Sequence, residues 1–378
     1  MSNILILHNI ISPYKTLLFN ALHEINRKIE VLYISKTESR RAWDVNTDTL
    51  EFPYRIMFNI LADEISKVSL FKETIKHLNN MNPNVLIIDG YSYASSWAGL
   101  FWAKRNKKKI ILWSSSNRDD HKRTFYKEYI KSLFVRSCDA YNVYGTKSKK
   151  YLICLGARED RIFTTGNNTD NGFYYHETMK WSRERSALIK SFGMPERNFL
   201  YIGRFSPEKN IMRLLDAYRD LKRGSEWGLI LLGRGPQKED IERHIKTHQI
   251  KNVFMPGFKQ KDEVPKYMAV SDIFVLPSIS EPWGLVVNEA MAAGFPVLVS
   301  IKCGCSDDLI KSNENGFVFD PLDKDGLLKL MNKMTGKEID LIKMGKQSLE
   351  IIKDFTPERA TSTVLDTIDL VLKTQGQK

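Results

Sequence analysis

Two acidic and two basic residues in the second half of the chain are placed to hold one long anionic ligand. Glu281 and Glu289 lie eight residues apart in "SEPWGLVVNEAMAAG" (280–294). Arg204 and Lys209 lie in "YIGRFSPEKNIMRLLDAY" (201–218). A carboxylate pair suggests glycoside cleavage, which needs a separation of about 5 Å for retention or about 6.5–9.5 Å for inversion. Eight residues of helix rise about 12 Å. The pair therefore suits two ends of one ligand better than a single scissile bond. Pro282 and Gly284 read as a turn that starts a helix ending at Gly294. Amides near Gly284 and Leu285 would receive a phosphate at the helix tip. Glu289, further along, would accept hydrogen bonds from a ribose diol, as acidic residues do in dinucleotide sites. Arg204 and Lys209 fall between a strand end and a helix start, where cations oppose the helix dipole. An anionic ligand removes that conflict. Taken singly, each charge is an ordinary solvated or dipole-facing residue. Together they follow the order of a nucleotide sugar: sugar, diphosphate, ribose, base.

The elements that must position these residues are legible as apolar runs. Five occur early, at 3–9, 29–35, 84–90, 109–115 and 139–145, separated by helix-like segments such as "YKTLLFNALHEIN". The pattern restarts with 198–204, 227–233, 252–258, 272–278, 295–300 and 315–320. Continuous apolar strands alternating with helices imply parallel sheets covered on both faces. The expected class is α/β, with two doubly wound Rossmann-like domains facing each other across a cleft. The N-terminal domain is set at 1–175 and the C-terminal one at 198–355. The polar stretch 176–197 between them reads as a linker plus a helix. The last segment, 356–378, opens with Thr356 and Pro357 as N-cap and N1 and is expected to return toward the first domain. Ligands of such sheets sit outside the carboxyl ends of the strands.

Composition sets the frame. A length of 378 residues suits two domains, and 42% hydrophobic with 27% charged residues can fill two cores. No run of about 18 apolar residues exists to span a membrane. The start resembles a signal peptide, but it lacks a basic n-region, and His8, Asn9, Ser12 and Pro13 interrupt it. A cytoplasmic protein, peripheral on the inner face of the membrane at most, is the expectation. Four cysteines form no CxxC pair. Cys303 and Cys305 make a lone C-x-C, read as reduced thiols with zinc or a disulfide as the lesser alternative. The formal charge is +12, and residues 1–175 carry 26 Lys and Arg against 17 Asp and Glu. Clusters stand at "AKRNKKK" (103–109) and "KSKK" (147–150). A solvated surface, an anionic membrane surface and nucleic acid compete to explain them. Nucleic acid ranks last, because no recognition-helix, zinc-finger or RNP-like pattern accompanies the charge.

The stretch "EPWGLVVNEAMAAG" resembles the E-x7-E signature of retaining GT-B glycosyltransferases of family 4, the group 1 glycosyl transferases. "GRFSPEKN" resembles that family's G-R-x-x-x-x-K-N stretch. "LLGRGPQKEDIERHI" and "VFMPGFKQKDEVPKYMAVSDIFVLPS" follow in its order, so the likeness covers nearly the whole C-terminal domain. In the N-terminal half, "HNIISPYKTLLFNAL", "LWSSSN" and "YGTKSKKYLICLG" look like a bacterial branch. The resemblance implies a retaining transfer of a hexose or N-acetylhexosamine to a glycan or lipid-linked acceptor. The donor is a nucleotide diphosphate sugar, UDP first and GDP second, with no cofactor and no metal. It implies that Arg204 and Lys209 hold the diphosphate, with Gly203 also in the donor site, and that Gly284 and Leu285 give amides to the distal phosphate and to the sugar. Glu281 and the Trp283 backbone would hold sugar hydroxyls, Glu289 the ribose, and Lys259 the neighbourhood of the base. Arg204, Lys209 and Glu281 would be catalytic. Fixed cations stabilise a leaving diphosphate without reorganising, and "DKD" (323–325), read as a helix cap, is the only Asp-x-Asp available to a metal. The family's glycine-rich loop after the first strand is replaced here by "HNIISPY". Its N-terminal histidine facing the donor sugar has no counterpart beyond His121. His8 and Asn9, expected just past the first strand, together with Tyr14, Asn117 and His121, are the acceptor candidates. A nucleotide-sugar epimerase on the same fold and a non-enzymatic nucleotide-binding module are the alternatives.

Overall fold

The computed structural model describes residues 3–26, 28–39, 41, 45–119, 123–224 and 226–373. Among them, one sheet holds β1 (Ile4–Ile10), β2 (Ile29–Ser35), β3 (Tyr54–Ile56), β4 (Val85–Asp89), β5 (Lys109–Ser114), β6 (Ala140–Val143) and β7 (Ile162–Thr164). Its order is β3-β2-β1-β4-β5-β6-β7. A second holds β8 (Arg197–Ile202), β9 (Trp227–Leu232), β10 (Val253–Gly257), β11 (Ile273–Leu276), β12 (Val297–Ser300) and β13 (Gly316–Phe319). Its order is β10-β9-β8-β11-β12-β13. The strand pairs run parallel, for example Ile4 opposite Val85 and Phe274 opposite Val297.

Apolar burial accounts for both sheets. Every residue of Ile4–Leu7, Leu229–Leu232 and Ile273–Leu276 is buried. Each such aliphatic side chain contributes about 1.5–3 kcal/mol, against the entropy of ordering it. The strands β3 and β7 were not expected. Each is three residues long, lies at an edge of the first sheet and is half exposed. A strand with one neighbour and one wet side leaves no apolar run to read.

Residues up to 118, residues 123–167 and the helix Pro357–Lys373 form one compact unit, and residues 168–356 form another. The last helix packs on the helix Pro13–Ile25 and on β6. There Thr367 donates to the Asn142 side chain at 2.7 Å. The stretch 176–197, read as a linker plus one helix, holds the end of the helix Asn171–Ser182 and the whole helix Arg185–Phe192. The first packs on helices Val264–Ala269 and Leu285–Ala292 of the second unit. Arg185 bonds the Ala269 carbonyl at 2.7 Å and the Asp272 carboxylate at 2.9 Å. No helix among the described residues is long and apolar enough to cross a membrane.

In each sheet the chain reverses its direction of growth once, between β1 and β4 and between β8 and β11. Strand ends flanking such a reversal leave a crevice for ligands.

Candidate functional site

In the second unit, the loops after β8 and β11 are stitched together at the reversal. A 3-10 turn, Pro207–Lys209, follows β8 and ends on Asn210, which adopts φ +57°. The Asn210 amide donates to the carbonyls of Pro277 at 3.2 Å and Pro321 at 2.8 Å. The Ile279 amide donates to the Glu208 carbonyl at 2.9 Å. Asparagine tolerates this left-handed conformation better than most side chains, and its two hydrogen bonds fix where Lys209 points.

Lys209 forms an ion pair with Glu281, their side chains only 18% and 14% exposed. Arg204 is exposed, and among the described residues its guanidinium has no ion-pair partner. Beneath them Tyr201 is buried and donates to the Arg204 carbonyl at 2.9 Å. Burial, then the charges of Glu281 and Glu208, push its phenol well above the ordinary range, so it stays neutral. Burial also pushes the Glu208 carboxyl up. The Ser206 hydrogen bond, a backbone amide and the Lys209 and Arg204 charges outweigh it and hold the group below its usual value. Gly203 closes the strand, its amide donating to the Leu232 carbonyl at 3.0 Å.

The turn carrying Glu281 is held by the C-x-C segment. Glu281 pairs with Cys303 in an isolated parallel bridge. The Gly304 amide donates to the Glu281 carbonyl at 2.9 Å and the Cys305 amide to the Trp283 carbonyl at 3.1 Å. A Cβ on Gly304 would lie 1.8 Å from the Pro282 carbonyl oxygen, so this close approach requires glycine. The four cysteines form no disulfide, and Cys303 and Cys305 are fully buried.

Gly284 then adopts φ +97° and starts the helix Leu285–Ala292, which has no side-chain cap and no acid in its first turn. Among the described residues the amides of Gly284 and Leu285 donate to no backbone carbonyl. Trp283 is buried, its indole donating to the Asn288 side chain at 2.8 Å. Glu289, in the second turn, is 3% exposed. Because the helix begins at Leu285, Glu281 lies outside it, and the helical rise expected between the two glutamates does not measure their separation. Lys259, after β10, sits 3.3 Å from Glu263. That hydrogen bond holds its ammonium above the ordinary value. Asp323 caps the helix Lys324–Thr335 by accepting from the Gly326 amide, so the Asp-x-Asp serves a helix start.

The first unit gathers a second polar cluster at its own reversal. His8 lies within β1, not past it. Its Nε2 is 3.2 Å from an Asp89 carboxylate oxygen and its Nδ1 3.0 Å from the Ile10 carbonyl. Burial first, with Lys15, lowers its pKa against the pull of Asp89. A neutral ring then has one proton for two acceptors. Lys15, 8% exposed, places its ammonium 3.8 Å from the Trp113 ring centre and 4.8 Å from that of Tyr144. Burial brings its pKa down to about 8, although Asp89 raises it. Asn9 lies beside Tyr93, whose hydroxyl donates to the Glu38 carboxylate at 3.3 Å, and Tyr14 is half-buried. Asn117 is fully buried, and its carbonyl accepts from Arg123. His121 lies outside the described residues.

Sequence reasoning missed Lys15, Asp89 and Trp113. One signal was present. Lys15 lies three, four and seven residues before Leu18, Phe19 and Leu22, on the apolar face of its helix, all four buried.

Residues 184–350 match the family described as Glycosyl transferases group 1. Over this segment the chain is similar to the group 1 glycosyl transferases. A sulfoquinovosyl transferase of Arabidopsis thaliana is 34% identical over 234 residues, 61% of this chain and 44% of that protein. An uncharacterised glycosyltransferase of Methanocaldococcus jannaschii is 29% identical over 214 residues, 55% of this chain and 53% of that one. The chain thus spans about half the length of the curated relatives it matches. The crystal structure of Anabaena HepE in complex with UDP and glucose superposes with a TM-score of 0.79 at 16% identity, over 98% of this chain and all of that one. The fold is that of the GT-B glycosyltransferases. The helix Leu285–Ala292 and the paired Lys209 and Glu281 fall in the matched segment. Lys15 and Asp89 lie outside it.

Proposed function

We propose that the chain is a retaining glycosyltransferase of family 4. It moves a hexose or N-acetylhexosamine from a nucleotide diphosphate sugar to a glycan or lipid-linked acceptor of bacterial surface polysaccharide or glycolipid. One observation carries this reading: an exposed Arg204, the Lys209–Glu281 pair and an uncapped helix tip gather at one reversal of the second sheet. UDP is the preferred base, in keeping with the UDP and glucose bound by HepE.

The donor opens the Lys209–Glu281 pair. Lys209 and Arg204 turn to the diphosphate, the Gly284 and Leu285 amides meet the distal phosphate, and Glu281 accepts from sugar hydroxyls. Glu289 holds the ribose and Lys259 lies near the base. As the bond from the sugar's anomeric carbon to phosphate breaks, negative charge grows on the leaving oxygen, and the two cations stabilise it. The acceptor oxygen attacks from the same face, and its proton passes to the leaving phosphate. These cations replace a divalent metal, so chelator leaves turnover unchanged. The acceptor is held by His8, Asn9, Tyr14, Lys15, Asp89 and Asn117 of the first unit. The enzyme works in the cytoplasm, with the basic excess of residues 1–175 drawing it to the inner membrane face.

The test is incubation with UDP- and GDP-sugars, with and without bacterial glycolipid extract, followed by NMR of the product anomer. The reading requires a glycoside of the donor's own anomeric configuration. Epimerised donor without acceptor would replace it with an epimerase.

A further inference from the structure

The helix Phe125–Arg136 is turned inside out. Its Glu128 and Lys131 face the body of the first unit. There Tyr151 donates to Glu128 at 2.8 Å, Lys131 reaches Glu128 at 2.9 Å, and Arg123 donates to the Tyr151 hydroxyl at 2.7 Å. Only Phe134 and Val135 are buried. The apolar remainder looks outward: Phe125 is 89% exposed, Tyr126 61%, Tyr129 59%, Leu133 48% and Ile130 47%. At about 100° per residue these five fall within roughly 140° of helix surface, a single stripe about 12 Å long. A surface helix ordinarily buries its apolar stripe and wets its charges. A continuous exposed stripe marks an interaction surface.

The neighbouring surface extends it. Trp97 packs edge-on against Phe134, ring centres 4.9 Å apart. Trp97, Leu100, Phe101, Lys104, Arg105 and Ser137 line a shallow groove there, with Phe101 55% exposed. The exposed cations Lys104, Arg105, Lys107, Lys127 and Arg136 belong to the helix Ala94–Arg105, the turn after it and the helix Phe125–Arg136. Glu128, the only acid of the helix Phe125–Arg136, is turned inward among Arg123, Lys131 and Tyr151.

We propose that this face docks the chain on an anionic lipid bilayer. The aromatic stripe enters the boundary between headgroups and acyl chains, and the cations meet lipid phosphates. Charge complementarity chooses this occupant, since a second copy would bring the same cations against these. The purpose of docking, reaching a lipid-linked acceptor, rests on the glycosyltransferase reading. The chemistry of docking does not.

The test is co-sedimentation of the whole chain with phosphatidylglycerol–phosphatidylcholine vesicles and with phosphatidylcholine alone. UDP binding is measured in parallel by thermal shift. The expected result is pelleting with the anionic vesicles that falls with salt. Phe125→Ser/Tyr129→Ser/Leu133→Ser together should cut it at least tenfold, and Lys104→Glu/Arg105→Glu should do the same. Both variants should keep the parent Tm and UDP shift. Pelleting unchanged in both variants, or absent in the parent, overturns the proposal. So does a parent dimer that the triple serine variant converts to monomer, since the stripe would then cover a protein. Vesicle binding without a UDP shift leaves docking intact and removes the donor reading instead.

Discussion

Lys15 is a cation that the fold holds at a cost. Its ammonium is buried against Trp113 and Tyr144, and its proton leaves near pH 8 instead of near the ordinary 10.4. The difference is worth about 3 kcal/mol against folding at neutral pH. Between those two pH values the unfolded chain keeps a proton that the folded chain has lost, so stability rises with pH across that window. Below pH 8 both states are protonated and the full penalty applies. Lys15→Met keeps the length and removes the charge. At pH 7 its Tm should exceed the parent's by several degrees, and the gap should close as pH approaches 10. Transfer to acceptor should fall while UDP binding stays. A lower Tm at pH 7 would make Lys15 a structural cation and remove it from the acceptor site. Lys15 was missed because lysine at a helix start is ordinarily solvated. Glu281, Arg204 and Lys209 stood out as candidates because three charges shared two short motifs.

The decisive element is the clamp of residues 303–305 on the turn 281–283. It uses two backbone hydrogen bonds and one glycine contact. Gly304→Ala places a methyl 1.8 Å from the Pro282 carbonyl. Overpacking of this kind costs about 1–3 kcal/mol. The variant should lose several degrees of Tm and about tenfold in UDP-sugar affinity, though residue 304 is assigned no contact with the ligand. Undiminished affinity, measured by calorimetry, would detach the clamp from the site. The sequence shows "CGC" as a cysteine pattern, so chemistry drew attention away from backbone contact. Eleven of the thirteen strands were legible as apolar runs, and the exposed three-residue edges β3 and β7 were not. The helix Phe125–Arg136 shows why periodicity is incomplete evidence. It locates an apolar face but not the side that face takes.

At the scale of the whole molecule, two parallel sheets each present polar side chains at their own reversal, one set rich in cations and one built around Asp89, His8 and Lys15. Segment order and strand order gave this architecture. Ion pairing did not follow from them, because Lys209 and Glu281 are separated by 72 residues and meet only through the Asn210 bonds and the Cys303 bridge. The account rests on that meeting place gripping a diphosphate. Hydrogen bonds to charged groups contribute about 1.5–3 kcal/mol each, so losing one cation should weaken UDP by roughly 10- to 150-fold. The most direct measurement is calorimetric titration of UDP and of uridine into the parent, Arg204→Ala and Lys209→Ala. The account predicts that both variants lose UDP affinity by that factor while uridine binding is unchanged. Parent-like UDP affinity in both variants would contradict it.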